Sequence, residues 1–163
     1  MSGSSNNNDL SVYEELENTL WAHLQSLGEF DKEAVEYREQ ATRRETGDLS
    51  ADQKSLVEKM DSDIGFETKQ CYRNTQLAIS FYGGQTTHDI QYVEGYVISN
   101  DVPIPVQHAW IELDGTVAEI TLPKARIQSE RWVYVGMPFE NSVVREAINN
   151  RGAASPLAGE KEW

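Results

Sequence analysis

Basic residues are scarce in this chain: 14 Lys and Arg stand against 27 Asp and Glu over 163 residues, a formal charge of −13. That balance argues against a nucleic-acid partner, whose phosphate backbone needs clustered cations. It suits a self-repelling surface. A high-salt cytoplasm would screen the repulsion, and an ordinary acidic protein is the alternative. Cysteine is scarcer still. One residue, Cys71, allows no internal disulfide and no cysteine-rich zinc site. No apolar run approaches the roughly 20 residues of a membrane-spanning helix, so no membrane association is expected. The polar start MSGSSNNND lacks the basic segment of a secretory signal. These absences point to a cytoplasmic setting.

What is present suits one folded domain. Four Trp and seven Tyr argue against disorder, and the length supports a real core. Residues 1–9 read as a flexible leader and 153–163 as a flexible tail. Between them, 10–152 read as a single domain, with a helical segment over 10–62 and a core over 63–152. Leu10, Val12, Tyr13, Leu16, Leu20 and Leu24 recur at helical spacing, and Gly28 is placed to end that helix. Glu33 to Arg44 continues as a highly charged helix, read as a solvated face. Ser50-Ala-Asp-Gln53 has the form of a capping box and opens a third helix. A fourth spans about Thr68 to Tyr82, stopped by Gly83-Gly84.

The period then changes to two. Asp89–Ile98, Val106–Leu113, Thr116–Leu122 and Arg131–Val135 read as strands, and Asn141 could cap a last helix closed by Gly152. Helices first and antiparallel strands later make an α+β domain: N-terminal helices, a cysteine-bearing helix on a sheet of about four strands, and a short C-terminal helix.

Asp114-Gly115 is the signal of a two-residue type I′ turn. That turn pairs Leu113 with Thr116, Glu112 with Val117, Trp110 with Glu119 and His108 with Thr121. His108, Trp110, Glu119 and Thr121 then share one face. Ala109, Ile111, Ala118 and Ile120 share the other, which reads as the core side. His108 and Glu119 become diagonal neighbours, roughly 7–8 Å apart at the backbone and able to touch through their side chains.

A carboxylate on one ring nitrogen fixes the tautomer and leaves the other nitrogen for proton transfer. Cys71, near a helix start where the dipole and free N–H groups favour a thiolate, supplies a nucleophile. Together the three residues provide nucleophile, base and orienter. Gln70 and Asn74 flank the cysteine and are candidate oxyanion donors. Trp110 shares the face of His108 and could wall a groove or shield the His–Glu contact. Tyr92 and Tyr96 share parity on the preceding strand, making them further groove candidates, and Gly95 between them can mark a close backbone approach. Nothing joins His23 or His88 to His108, so no metal site is expected, and the chemistry asks for no cofactor.

The segments CYRNTQLAI (Cys71–Ile79), YVEGYVI (Tyr92–Ile98), HAWIEL (His108–Leu113) and GTVAEIT (Gly115–Thr121) resemble the transglutaminase-like branch of the papain-like cysteine enzymes. The resemblance covers about 50 of the 163 residues. It implies a nucleophile at Cys71, a general base at His108 and an orienting acid at Glu119. Two positions depart from the family pattern: Thr75 replaces a small Ala, and Glu119 replaces the usual Asp. YVGMPFENSVVREAI (Tyr134–Ile148) has the flavour of small microbial and viral members, which adds a virus particle to the possible locations.

The resemblance implies acyl transfer through a thioester, on a peptide or protein substrate. Resolution by water gives a peptidase, amidase or deamidase. An amine gives a transglutaminase. Hydrolysis is the favoured outcome for a small domain. The alternative is a catalytically silent domain serving as a binding or structural module, with the N-terminal helices docking to an assembly partner.

Overall fold

The structure, a computed structural model, describes residues 2–27, 42–101, 103–153 and 155–157. Its architecture is α+β. In chain order the elements are α1 (Ser2–Leu27), β1 (Thr42–Glu45), α2 (Ala51–Ile64), α3 (Cys71–Tyr82), β2 (Ile90–Ser99), β3 (Val106–Leu113), β4 (Thr116–Ala118), α4 (Lys124–Ser129), β5 (Trp132–Phe139) and α5 (Asn141–Arg151).

Local chemistry sets the boundaries that matter here. Ser50 and Gln53 form the expected capping box at the start of α2, with Gln53 N–H donating to Ser50 Oγ at 3.2 Å and Ser50 N–H to Gln53 Oε1 at 2.9 Å. Gly65, at φ 70°, ends the same helix in the left-handed conformation. The Asp114-Gly115 turn has φ of 52° and 86°, as a type I′ turn requires. It sets the register Leu113–Thr116, Glu112–Val117 and Ile111–Ala118, as expected. Gln53 also donates from Nε2 to the Leu113 carbonyl at 3.3 Å and to Asp114 Oδ2 at 3.1 Å, tying α2 to this turn.

The five strands are ordered β1-β5-β2-β3-β4, with every adjacent pair antiparallel. The sheet is strongly curled. Thr46, just past β1, bridges Val117 in β4, and Arg44 of β1 approaches Glu112 of β3 at 3.6 Å across two intervening strands. Both contacts need the sheet edges to meet. Two cores result. On the outer face Tyr92, Ala109, Ile111, Leu113 and Ala118 pack against α2, α3 and α5, while Tyr96, Ile98, Val133 and Val135 pack under Leu16, Leu20 and Leu24 of α1. Inside the curl, Val93, Val97, Trp110, Val117, Trp132 and Tyr134 form a second core.

Several expectations need correction. Thr42–Glu45 is an edge strand hydrogen-bonded to β5 and not the end of a charged helix; the rest of that expected helix, 33–41, and Gly28 lie outside the described residues. α1 begins at Ser2, within the stretch read as a leader. β4 ends at Ala118 and not at Leu122, while β5 runs on to Phe139. α3 starts at Cys71, after Lys69 takes φ 64°. Ser155 and Leu157 of the expected tail are docked: the Ser155 carbonyl accepts from Gln76 Nε2 at 2.7 Å, and Leu157 N–H donates to Glu94 Oε2 at 2.6 Å. The apolar stripe of α1 is used on the sheet. Among the described residues no helix is long and apolar enough to cross a membrane.

Candidate active site

The early end of β4 makes the site. Beyond Ala118 the chain leaves the ladder, and the Glu119 carboxylate folds back over its own backbone. Oε2 accepts the N–H groups of Thr121 at 3.0 Å and Leu122 at 3.1 Å. Oε1 takes His108 Nε2 at 2.6 Å and the Tyr134 hydroxyl at 2.9 Å. Four donors around one carboxylate, whose side chain is only 3% exposed, compensate the cost of burying its charge.

His108 is 5% exposed. Its ring stacks near-parallel on Trp110 (centroids 6.2 Å, 18°), and Tyr134 sits edge-on to Trp110 at 5.0 Å. With Nε2 committed to Glu119, Nδ1 is the nitrogen left for another partner. Burial opposes a charge on this ring, but the Glu119 carboxylate and a hydrogen-bonding interaction with Cys71 outweigh it and raise its pKa to about 10. Burial likewise pushes the Glu119 carboxyl up, and the His108 charge and the N–H donors bring it below the usual carboxylate range. Burial, followed by the Glu119 charge, raises the Tyr134 phenol well above its ordinary value, so that it remains an O–H donor. The pair is therefore an imidazolium–carboxylate at neutral pH.

Cys71 is a free, half-buried thiol on the first residue of α3. The N-cap residue Gln70 makes no side-chain capping bond, so the first-turn amides next to Cys71 are not taken up by a cap. Thr75, fully buried, donates to the Cys71 carbonyl at 2.5 Å and ties down the same turn.

The structure thus brings Cys71, His108 and Glu119 together. The other candidates separate. Gln70 is exposed beside Cys71. Asn74 is fully buried and its amide hydrogens are spent on the Glu67 carbonyl (2.8 Å) and Thr121 Oγ (3.1 Å), which makes it a pin between α3 and the segment after β4, not an oxyanion donor. Trp110 has no exposed surface and shields the His–Glu contact; it walls no open groove. Tyr92 and Tyr96 lie on the opposite face of β2 from the Gly95 that pairs with His108, buried in the outer cores. His23 meets the edge of Tyr96, and His88 pairs with Asp114. Among the described residues no three His, Cys, Asp or Glu side chains are grouped to hold a metal ion.

Sequence reasoning missed Tyr134 and Gly136. Tyr134 comes from β5, two strands from β3, and reaches Glu119 only because the sheet curls. Gly136 pairs with Gly95, and a Cβ there would lie 2.5 Å from the Trp110 ring and 2.7 Å from the Glu94 carbonyl, so the indole rests on bare backbone. No local pattern announces either residue. Also missed was a cavity of about 250 Å³ of which His108 is one wall, with Val97, Leu122 and Trp132 among the others.

No protein-family model, curated protein or solved structure matches the chain.

Proposed function

We propose that the protein is a thiol-dependent acyl-transfer enzyme of transglutaminase-like type, hydrolysing an amide or peptide bond through Cys71, His108 and Glu119. One observation carries the reading. A buried histidine is clamped by one nitrogen to a fully satisfied carboxylate, and it interacts with the lone thiol at a helix start.

In this reading Cys71 reacts as a thiolate and its proton is the one that His108, with its raised pKa, already carries and later gives to the leaving group. Cys71 sulfur bonds to the carbonyl carbon, and the carbonyl electron pair moves to oxygen near the first-turn amides of α3, with Gln70 as a second donor. As the carbonyl re-forms, the C–N bond breaks and the leaving amine takes the His108 proton. Water then adds to the thioester while neutral His108 accepts its proton. The S–C bond breaks, Cys71 leaves as thiolate, and the imidazolium is restored. Glu119 holds the ring through both steps without accepting a proton.

The test is the iodoacetamide labelling rate of native Cys71 from pH 5 to 9, in wild type and His108→Ala. Fast labelling that persists well below the free-thiol pKa of about 8.5, and that is lost in the variant, is expected. Labelling that follows an ordinary thiol in both proteins contradicts the proposal and favours a silent binding or structural module.

A further inference from the structure

The cavity beside His108 has no role in the reaction as written, yet His108 is one of its walls. Its apolar walls are Val97, Ile98, Leu122 and Trp132, its polar ones Ser99, Asp101 and Arg126, and Ile104 and Val106, also in the lining, are 64% and 56% exposed. Two aliphatic side chains left this open at one rim are unusual in an otherwise acidic chain. The rim lies in Pro103-Ile104-Pro105-Val106, where two prolines limit backbone freedom and so reduce the entropy lost when a ligand seats.

Of the polar groups of the wall, Ser99, Arg126 and His108 are already engaged, and Asp101 is exposed to solvent. Ser99 Oγ donates to Glu130 at 2.7 Å, and Arg126 donates to the same carboxylate at 2.8 and 3.3 Å while its guanidinium lies over the Trp132 ring at 4.9 Å. His108 Nε2 is held by Glu119. A polar side chain entering here would lose water without gaining these partners. An apolar one loses nothing. The volume decides how large it can be. About 250 Å³ exceeds the roughly 150 Å³ apolar cavity that accepts benzene, yet falls short of the roughly 300–1,000 Å³ typical of drug-sized ligand sites. One bulky aliphatic or aromatic side chain fits that range.

We infer that this cavity binds an apolar side chain on the leaving-amine side of the scissile bond. The inference rests on the proposed reaction, which supplies the direction: His108 gives its proton to the departing nitrogen, so that nitrogen lies against the imidazole. The side chain one carbon beyond it is then the group nearest the cavity that His108 also walls. The acyl side of the substrate lies toward Cys71. By microscopic reversibility an amine bearing such a side chain is also the preferred acceptor when an amine, not water, resolves the thioester.

The first arm of the test removes the chemistry. In the Cys71→Ala chain, phenylalaninamide and glycinamide are titrated while the indole N–H resonance of Trp132 is followed, since that group is held by the Arg126 carbonyl at 3.1 Å. The expected result is a saturable shift with phenylalaninamide at a Kd at least roughly tenfold below that of glycinamide, abolished by Ile104→Lys at the exposed rim. Equal responses, or none, overturn the inference. In the second arm the wild-type chain is acylated with p-nitrophenyl acetate, and the two amines compete with water for the acetyl group. Preferential formation of N-acetylphenylalaninamide, by a similar factor, is expected. Selective binding with equal partition places the cavity off the leaving side and overturns the inference. Absence of any p-nitrophenol burst instead contradicts the thioester reaction, and the Trp132 titration keeps the two failures distinct.

Discussion

A histidine–carboxylate pair stands at each end of the β3–β4 hairpin. At the turn, His88 Nδ1 lies 2.7 Å from Asp114; at the open end, His108 Nε2 lies 2.6 Å from Glu119. By distance they are the same contact. Their surroundings differ: the side chains of the first pair are 22% and 42% exposed, those of the second 6% and 3%. Asp114 helps hold a turn together, with its pKa lowered to about 2 by the His88 hydrogen bond, then by Asp89 N–H and Gln53. Solvent shares its charge, as for other surface pairs. Among the described residues, the polar partners of Glu119 and His108 are each other, Tyr134, two backbone amides and Cys71. In the buried pair the Glu119 charge and the Cys71 contact outweigh burial and hold His108 as an imidazolium.

Neutralising each carboxylate by its isosteric amide is the sharpest way to break this comparison. Glu119→Gln leaves a buried imidazolium without its counter-charge and is expected to cost about 3–5 kcal/mol in urea unfolding. Asp114→Asn, which keeps a residue tolerant of positive φ in the turn, is expected to leave the urea midpoint close to wild type. A similar drop in both variants would mean that burial does not separate the pairs. Tyr134→Phe should erode the buried pair less, by about 1.5–3 kcal/mol for one hydrogen bond to a charged group.

The pH dependence of stability separates the pairs by sign and range. His108 is raised from 6.5 to about 10, so its stabilisation is complete below 6.5 and is lost as pH rises through 10. Glu119 is lowered from 4.5, so its contribution is present above that value and is lost as pH falls through the depressed pKa. The buried pair therefore supports the fold most between about 4.5 and 6.5, and Glu119→Gln should flatten both flanks of a urea-midpoint curve. Asp114 acts only on the acid flank, between 3.8 and about 2, where Asp114→Asn should flatten a smaller step. Salt should give the smallest effect. Near 1 M, where the screening length is about 3 Å, that acid step should shrink while the alkaline flank from His108 holds.

The two ends were not equally legible in the sequence. Asp114-Gly115 set the register of the three pairs from Leu113–Thr116 to Ile111–Ala118, because turn chemistry and a period of two are local rules, but the expected Trp110–Glu119 and His108–Thr121 pairs do not form, and Glu119 meets His108 from beyond the end of the strand. Cys71 at a helix start was legible for the same reason, although the positive φ of Lys69 placed that start three residues later than periodicity suggested. What was hidden depends on contacts distant in sequence. Thr42–Glu45 reads TRRE, has no apolar alternation, and becomes a strand only by pairing with β5. The curl of the sheet turned an expected open face into a second core, which buried Trp110 and brought Tyr134 to Glu119. Ser155 and Leu157 looked like tail residues because the groups that tie them to the core, Gln76 and a buried Glu94, lie more than 60 residues away, while among the described residues only Arg151 reaches Ser155 locally.

The central claim is that Glu119 and the contact with Cys71 hold His108 as an imidazolium, and ring-nitrogen NMR of His108 across pH 5 to 11 tests it most directly, in wild type and in Cys71→Ala. The account predicts that His108 stays an imidazolium through neutral pH in both proteins, titrating far above 6.5, and that removing the thiol lowers its pKa. Titration near 6.5, or a curve that does not change when Cys71 is removed, would contradict it.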